Sequence, residues 1–133
     1  MNYNAPPRLE NETVDAYVER VKSTIQLRGA AKVIRPAHLY QLRNFEDKAS
    51  FQIIQFIEKE PKYQGATEMV TINDGTTNEA VLEMLIDRCE NLFARFPSDE
   101  TAKAIEYMQA ALEQFELRTL RRLARNVEGK HIA

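Results

Sequence analysis

From Gly75 to the end of the chain, apolar residues return every three or four positions. Leu82, Leu85, Cys89, Leu92 and Phe96 step in this way up to Pro97, and Ile105, Met108, Leu112, Phe115 and Thr119 repeat the step after it, with Leu123 extending the row. Such spacing places each row on one face of a helix. Thr76, followed three residues later by Glu79, has the form of a capping box that opens the first helix. Ser98, with Asp99 and Glu100 behind it, reads as the cap of the second. Only Phe96, Pro97 and Ser98 separate the two rows, and so short a connection predicts an antiparallel helical hairpin. Val81, Ile86, Phe93, Ala104, Ala111 and Leu120 widen the apolar surface beyond what one pair of helices covers, which predicts that hairpins from several copies assemble.

The first half of the chain is patterned differently. Pro6 and Pro7, among polar neighbours, remove two backbone donors and predict an extended, flexible arm over residues 1–10. Val14, Val18, Val21 and Ile25 then fall on one side of a helix, with Asn11 as its N-cap and Gly29 as its stop. Pro36 interrupts the stretch 30–47, within which Ala37 to Arg43 read as a short helical turn or irregular structure. The run FQIIQFI, residues 51–57, is rich in β-branched and aromatic side chains and ends at Glu60 and Pro61, which predicts a strand. Its partner is either EMVTI, residues 68–72, or the same strand of another copy.

These readings give a mainly α chain: a flexible arm (1–10), an N-terminal helical segment (11–50), a short β segment (51–75) and a helical hairpin with a C-terminal tail (76–133) assembling into an oligomeric helical bundle. A length of 133 residues suits one such domain. The net charge of -2 offers no global field for a nucleic-acid backbone, so DNA and RNA are not expected as partners. No run approaches the roughly 20 apolar residues of a membrane span. The opening MNYNAPPRLENE lacks the grammar of a secretion signal, and the single Cys89 forms no internal disulfide; both point to a reducing cytoplasm.

Catalytic signals are missing. There is no Gly-rich phosphate loop and no paired Cys or His at metal spacing, and His38 and His131 stand far apart in sequence with no plausible nucleophile beside them. An enzyme, a metal and a cofactor are therefore not expected. What remains is cationic: Arg118, Arg121, Arg122 and Arg125 gather on one helical stripe. Guanidinium forks match phosphate oxygens in pairs, which makes a small phosphorylated ligand a fitting tenant. The stripe could equally complement the helix dipole, or be neutralised by Glu113 and Glu116. Tyr107 and Tyr63 offer flat faces for a nucleobase, or for packing at a subunit boundary.

The runs GTTNEAVLEMLIDR, RFPSDETAKAIEYMQAALEQFELRT and RRLARNVEGKH carry a likeness. Through Asn78-Glu79, Leu85 to Arg88, Phe96-Pro97, Glu100, Ala102, Ala104-Ile105, Gln109, Ala111-Leu112, Arg118-Thr119 and Val127 to Gly129, the chain resembles the helical-hairpin family of the phage anti-CBASS cyclic-nucleotide sponge, a hairpin also found in a phage anti-Thoeris sponge. Residues 51–56 and 59–61 are similar to the piece that precedes the hairpin in longer members. The resemblance implies a bacteriophage protein in the infected cell's cytoplasm. It would be a homo-oligomer, with a hexamer as one candidate, that binds a cyclic di- or trinucleotide alarm without hydrolysing it. Together with the guanidinium stripe, this gives an expected ligand-binding set of Arg118, Arg121, Arg122 and Arg125 on the phosphates, Tyr107 stacking a base, and Thr119.

The chain departs from that family at two places. Ser98-Asp99-Glu100-Thr101 stands where the family has Cys-Arg-Glu-Asn, and Glu106-Tyr107 where it has Thr-Lys. Two cationic positions are thus acidic or aromatic here. The alternative expectation is a non-catalytic, oligomeric phage structural or protein-interaction protein that has lost nucleotide binding.

Overall fold

The computed structural model describes residues 4–25 and 27–127, the last two by backbone alone. Among these described residues are three helices and five strands: α1 (Val14–Val21), β1 (Ala31–Arg35), β2 (Leu39–Arg43), β3 (Phe51–Gln55), β4 (Glu58–Pro61), β5 (Met69–Asn73), α2 (Asn78–Arg95) and α3 (Asp99–Val127). The chain divides into two compact units, Met1–Ile54 and Gln55–Ala133. With strands in order β1-β2-β3 in one sheet and β4-β5 in another, the fold is mixed α and β. The expectation of a mainly α hairpin bundle is thereby corrected.

In the first unit, Thr13 rather than Asn11 caps α1, its hydroxyl accepting from the Ala16 amide at 3.1 Å. Asn11 adopts a positive φ of 66°, so it turns the chain instead of entering the helix. Only Val21 of the expected apolar row is buried, and the helix ends there, well before Gly29. The preceding segment lies back along α1. The Tyr17 hydroxyl donates to the Pro6 carbonyl at 2.6 Å, and Arg20 reaches the Pro7 carbonyl.

Residues 37–43, expected as a helical turn or irregular structure, supply the turn and second strand of a β-hairpin with β1. Val33 and Ile34 before the turn, and Tyr40 and Leu42 after it, are the β-branched, aromatic and apolar side chains that suit a pleated surface. Pro36 marks the turn between them. The His38 amide donates to the Arg35 carbonyl at 3.1 Å, and Ala37, at φ 68°, donates its amide to the Tyr40 hydroxyl. Ala31 pairs with Leu42, Lys32 with Gln41 and Val33 with Tyr40, and the register shifts before Arg35 meets Leu39.

The run expected as one strand over 51–57 is split. Phe51 to Gln55 join β2, whereas the partner of EMVTI is the next piece, Glu58 to Pro61. Pro61 does not stop that strand, because a two-stranded ribbon has an outer edge on which a missing N–H is tolerated. Between the two strands, Phe56 makes a parallel bridge to Thr76. The Thr76 amide donates to the Gln55 carbonyl and the Ile57 amide to the Thr76 carbonyl, both at 2.9 Å. Gly75 is required here: a Cβ would stand 2.5 Å from the Gln55 oxygen.

Because Thr76 is held in that bridge, the cap of α2 is Thr77, whose hydroxyl accepts from the Ala80 amide. Ser98 caps α3 as expected from sequence, accepting from the Thr101 amide at 3.1 Å. α2 and α3 pack on each other across the Phe96–Ser98 turn. The buried line on α2 keeps part of the expected row and is centred on a different residue. Leu82 and Cys89 of the expected row are half-buried, as is Phe93, but Ile86 is the one buried residue, while Leu85 and Leu92 are exposed at the flank and Phe96 is 68% exposed. On α3, Ile105, Met108, Leu112 and Phe115 are half-buried as the spacing predicts, but Thr119 and Leu123 are exposed. The row ends where its cover ends. α3 has 29 residues against 18 in α2, so its last part outruns its partner by about 16 Å at 1.5 Å per residue.

Candidate anion-binding site on the last helix

The four arginines of the stripe fall on the part of α3 at and beyond the level of the first turn of α2. Their spacing of three, one and three residues collects them within roughly 100° of the helix circumference. Arg118 and Arg121 are exposed, whereas Arg122 and Arg125 are half-buried. None of the four makes a hydrogen bond or ion pair with another described residue. The Nε of Arg125 is shielded from solvent and has no acceptor among the described residues. Glu113 and Glu116 do not neutralise the stripe, for a reason visible in their numbering. Three and four residues beyond Glu113 lie Glu116 and Leu117, and beyond Glu116 lie Thr119 and Leu120, so neither carboxylate has an arginine at helical pairing distance.

The structure does not bring the whole expected set together. Tyr107 is 67% exposed and on the same side of α3 as the arginines, but eleven residues before Arg118. That separation is about 16 Å along the axis, so a ligand held by the arginines of one chain would need that reach to touch its Tyr107. Thr119 sits roughly 100° around the helix from Arg118 and belongs to a different feature. Tyr63 is exposed in the connection between β4 and β5. His131 lies outside the described residues.

The different feature is a concavity of about 540 Å³ lined by Glu79 of α2 and by Glu113, Glu116, Leu117, Thr119 and Leu120 of α3. It forms at the step where α2 begins and α3 runs on past it. Its three carboxylates make no hydrogen bond or ion pair with other described residues. Sequence reasoning missed this site because it treated Glu113 and Glu116 as counter-ions to the arginines. Placing each residue at 100° per step shows Glu113, Glu116, Leu117 and Leu120 sharing the face opposite the arginines.

The positions that depart from the sponge family have plain local roles. Ser98 and Thr101 are joined hydroxyl to hydroxyl at 2.8 Å and close the first turn of α3, while Glu106 and Tyr107 face outward. Among the described residues no group of three or more His, Cys, Asp or Glu side chains could hold a metal ion, and no helix is long and apolar enough to cross a membrane. Compared with known protein families the chain matches none, and no curated protein matches it either.

Proposed function

We propose that this chain is a sponge: a non-catalytic protein that binds a cyclic di- or trinucleotide immune signal and holds it, acting for a bacteriophage in the cytoplasm of the infected cell. The observation that carries this reading is the row of four guanidinium groups on α3, none paired with another described residue. Like charges so close favour an anion across them, and two phosphates of one ligand match planar forks better than point charges. The likeness of residues 75–129 to the sponge hairpin supports the same reading. Sequestration needs affinity and abundance rather than turnover, since free ligand falls by mass action alone.

Calorimetry of the purified chain against a panel of cyclic di- and trinucleotides tests the proposal. At least one member should release heat, and Arg121→Gln with Arg122→Gln should weaken that binding tenfold or more, because a hydrogen bond to a charged group contributes about 1.5–3 kcal/mol. Silence across the panel ends it. Recovery of intact nucleotide after long incubation separates a sponge from a hydrolase.

A second reading has its own support. The concavity on the other face of α3 is lined by three glutamates, the wrong charge for phosphate, and Val33, Phe51 and Ile53 stand exposed in the first unit. Those features favour a protein-interaction role in which the hairpin recognises polypeptide instead of nucleotide.

A further inference from the structure

The two faces of the end of α3 are complementary to each other and are kept apart by the helix between them. On one side stand Arg118, Arg121, Arg122 and Arg125; on the other, roughly half a turn around, stand Glu113 and Glu116 over an apolar floor of Leu117 and Leu120, with Glu79 across the step. All three carboxylates and all four guanidiniums lack a partner among the described residues. A helix about 10 Å thick prevents the two sets from meeting within one chain. Two chains have no such obstacle.

We infer that the glutamate-lined concavity at the α2–α3 step is the docking site for the arginine stripe of a second copy of this chain. The occupant follows from charge and shape. An apolar floor rimmed by carboxylates accepts a cationic helix whose stems are aliphatic, and Arg covers apolar surface with its methylenes while its fork reaches the rim. Leu120 on the floor, 59% exposed, and Leu123 one turn further along α3, 53% exposed, gain cover from the arriving helix. The net charge of -2 leaves no strong overall repulsion between copies. The contact is head to tail: one copy offers its concavity and its neighbour the stripe, leaving one of each unused, so copies add until a ring closes or a filament runs on. Phosphate and a neighbouring concavity then compete for the same arginines.

A charge-swap experiment on the full chain tests this. Light scattering of the wild-type chain at low salt should give at least twice the monomer mass, falling to monomer near 1 M salt, where the screening length is about 3 Å. Glu113→Arg with Glu116→Arg should be monomeric alone, and so should Arg121→Glu with Arg122→Glu. Mixed in equal amounts they should assemble again, because each now carries the complement of the other. A monomeric wild type, variants that assemble unaided, or a mixture of two helical variants that stays monomeric each overturns the inference. Should the reversed chains lose helicity by circular dichroism, Glu113→Gln with Glu116→Gln replaces them: at least tenfold weaker association supports the contact, and unchanged association overturns it. The inference does not rest on the sponge reading. A chain silent to the nucleotide panel that passes the swap defeats the sponge alone, and one that binds nucleotide as a monomer defeats the contact alone.

Discussion

Arg20 grips Glu12 with two prongs, Nε to Oε2 at 2.7 Å and Nη2 to Oε1 at 2.8 Å, and a third hydrogen bond brings the Leu9 amide to the same carboxylate. The clasp spans eight residues and fixes the turn before α1, where Arg20 also lies over the Tyr17 ring. The hydrogen bond from Arg20, then the one from Leu9, hold the Glu12 carboxyl down to about 2 from its ordinary 4.5.

A carboxylate whose pKa is lowered by folding adds stability that is complete above its unfolded value and is lost as protons return. The structure around α1 should therefore hold at neutral pH and weaken as pH falls from about 4.5 toward about 2. An NMR titration of the Glu12 side chain alongside the Ala16 and Tyr17 amides checks this. Glu12→Gln should flatten that acid limb, and an unchanged limb in the variant would assign the effect to other carboxylates.

Gly75→Ala should destabilise the second unit by about 1–3 kcal/mol, the usual cost of forcing a methyl into filled space. The new Cβ would meet the Gln55 oxygen at 2.5 Å and the Phe56 carbonyl carbon at 2.6 Å, both backbone and unable to rotate away. Gly65→Ala is the control. Its position has φ +83° and open space around it, so only the left-handed backbone is penalised, by roughly 1–2 kcal/mol, and the β4–β5 connection alone should feel it. Urea melts of the two variants, read by hairpin and helix probes separately, distinguish them.

The phase of α2 is testable at two adjacent positions. Ile86→Ala should cost about 2–4 kcal/mol, as for a buried aliphatic side chain, whereas Leu85→Ala should cost about half as much or less. Equal losses would restore the Leu82–Leu85–Cys89–Leu92 row that periodicity favours.

Thr77→Ala should remove about 1 kcal/mol of helix stability by freeing the Ala80 amide, and more than Thr76→Ala, since Thr76 works through its backbone. A thermal melt followed at 222 nm is sufficient, and the reverse order would return the cap to Thr76.

The legible and illegible parts of the fold divide along the range of the interactions involved. Ser98 as a cap and the spacing from Ile105 to Phe115 act within one or two turns, so the sequence carries them openly. Thr77 displaced Thr76 because residue 76 was claimed by Gln55 and Ile57, partners about twenty positions away that no local pattern reveals. The β1–β2 hairpin was hidden for a different reason. Pro36 and Ala37 make an uncommon turn, with Ala37 in a left-handed conformation that favours Gly or Asn, so the usual turn residues were not there to flag it. At the candidate site, the arginine stripe follows from helical spacing alone. The concavity needs the additional fact that α2 begins level with Glu113 to Leu120, which depends on where both helices start.

The bridge between Phe56 and Thr76 gives the second unit a buckle. The nineteen residues of ribbon and turn between them are looped and fastened at their base, immediately ahead of the first turn of α2. A shortened version that starts at Asn78 would keep both long helices and lose the fastening, leaving the opening turn of α2 to fray just where Glu79 must stand. Anyone trimming this chain for display or crystallisation should cut no later than Gln55.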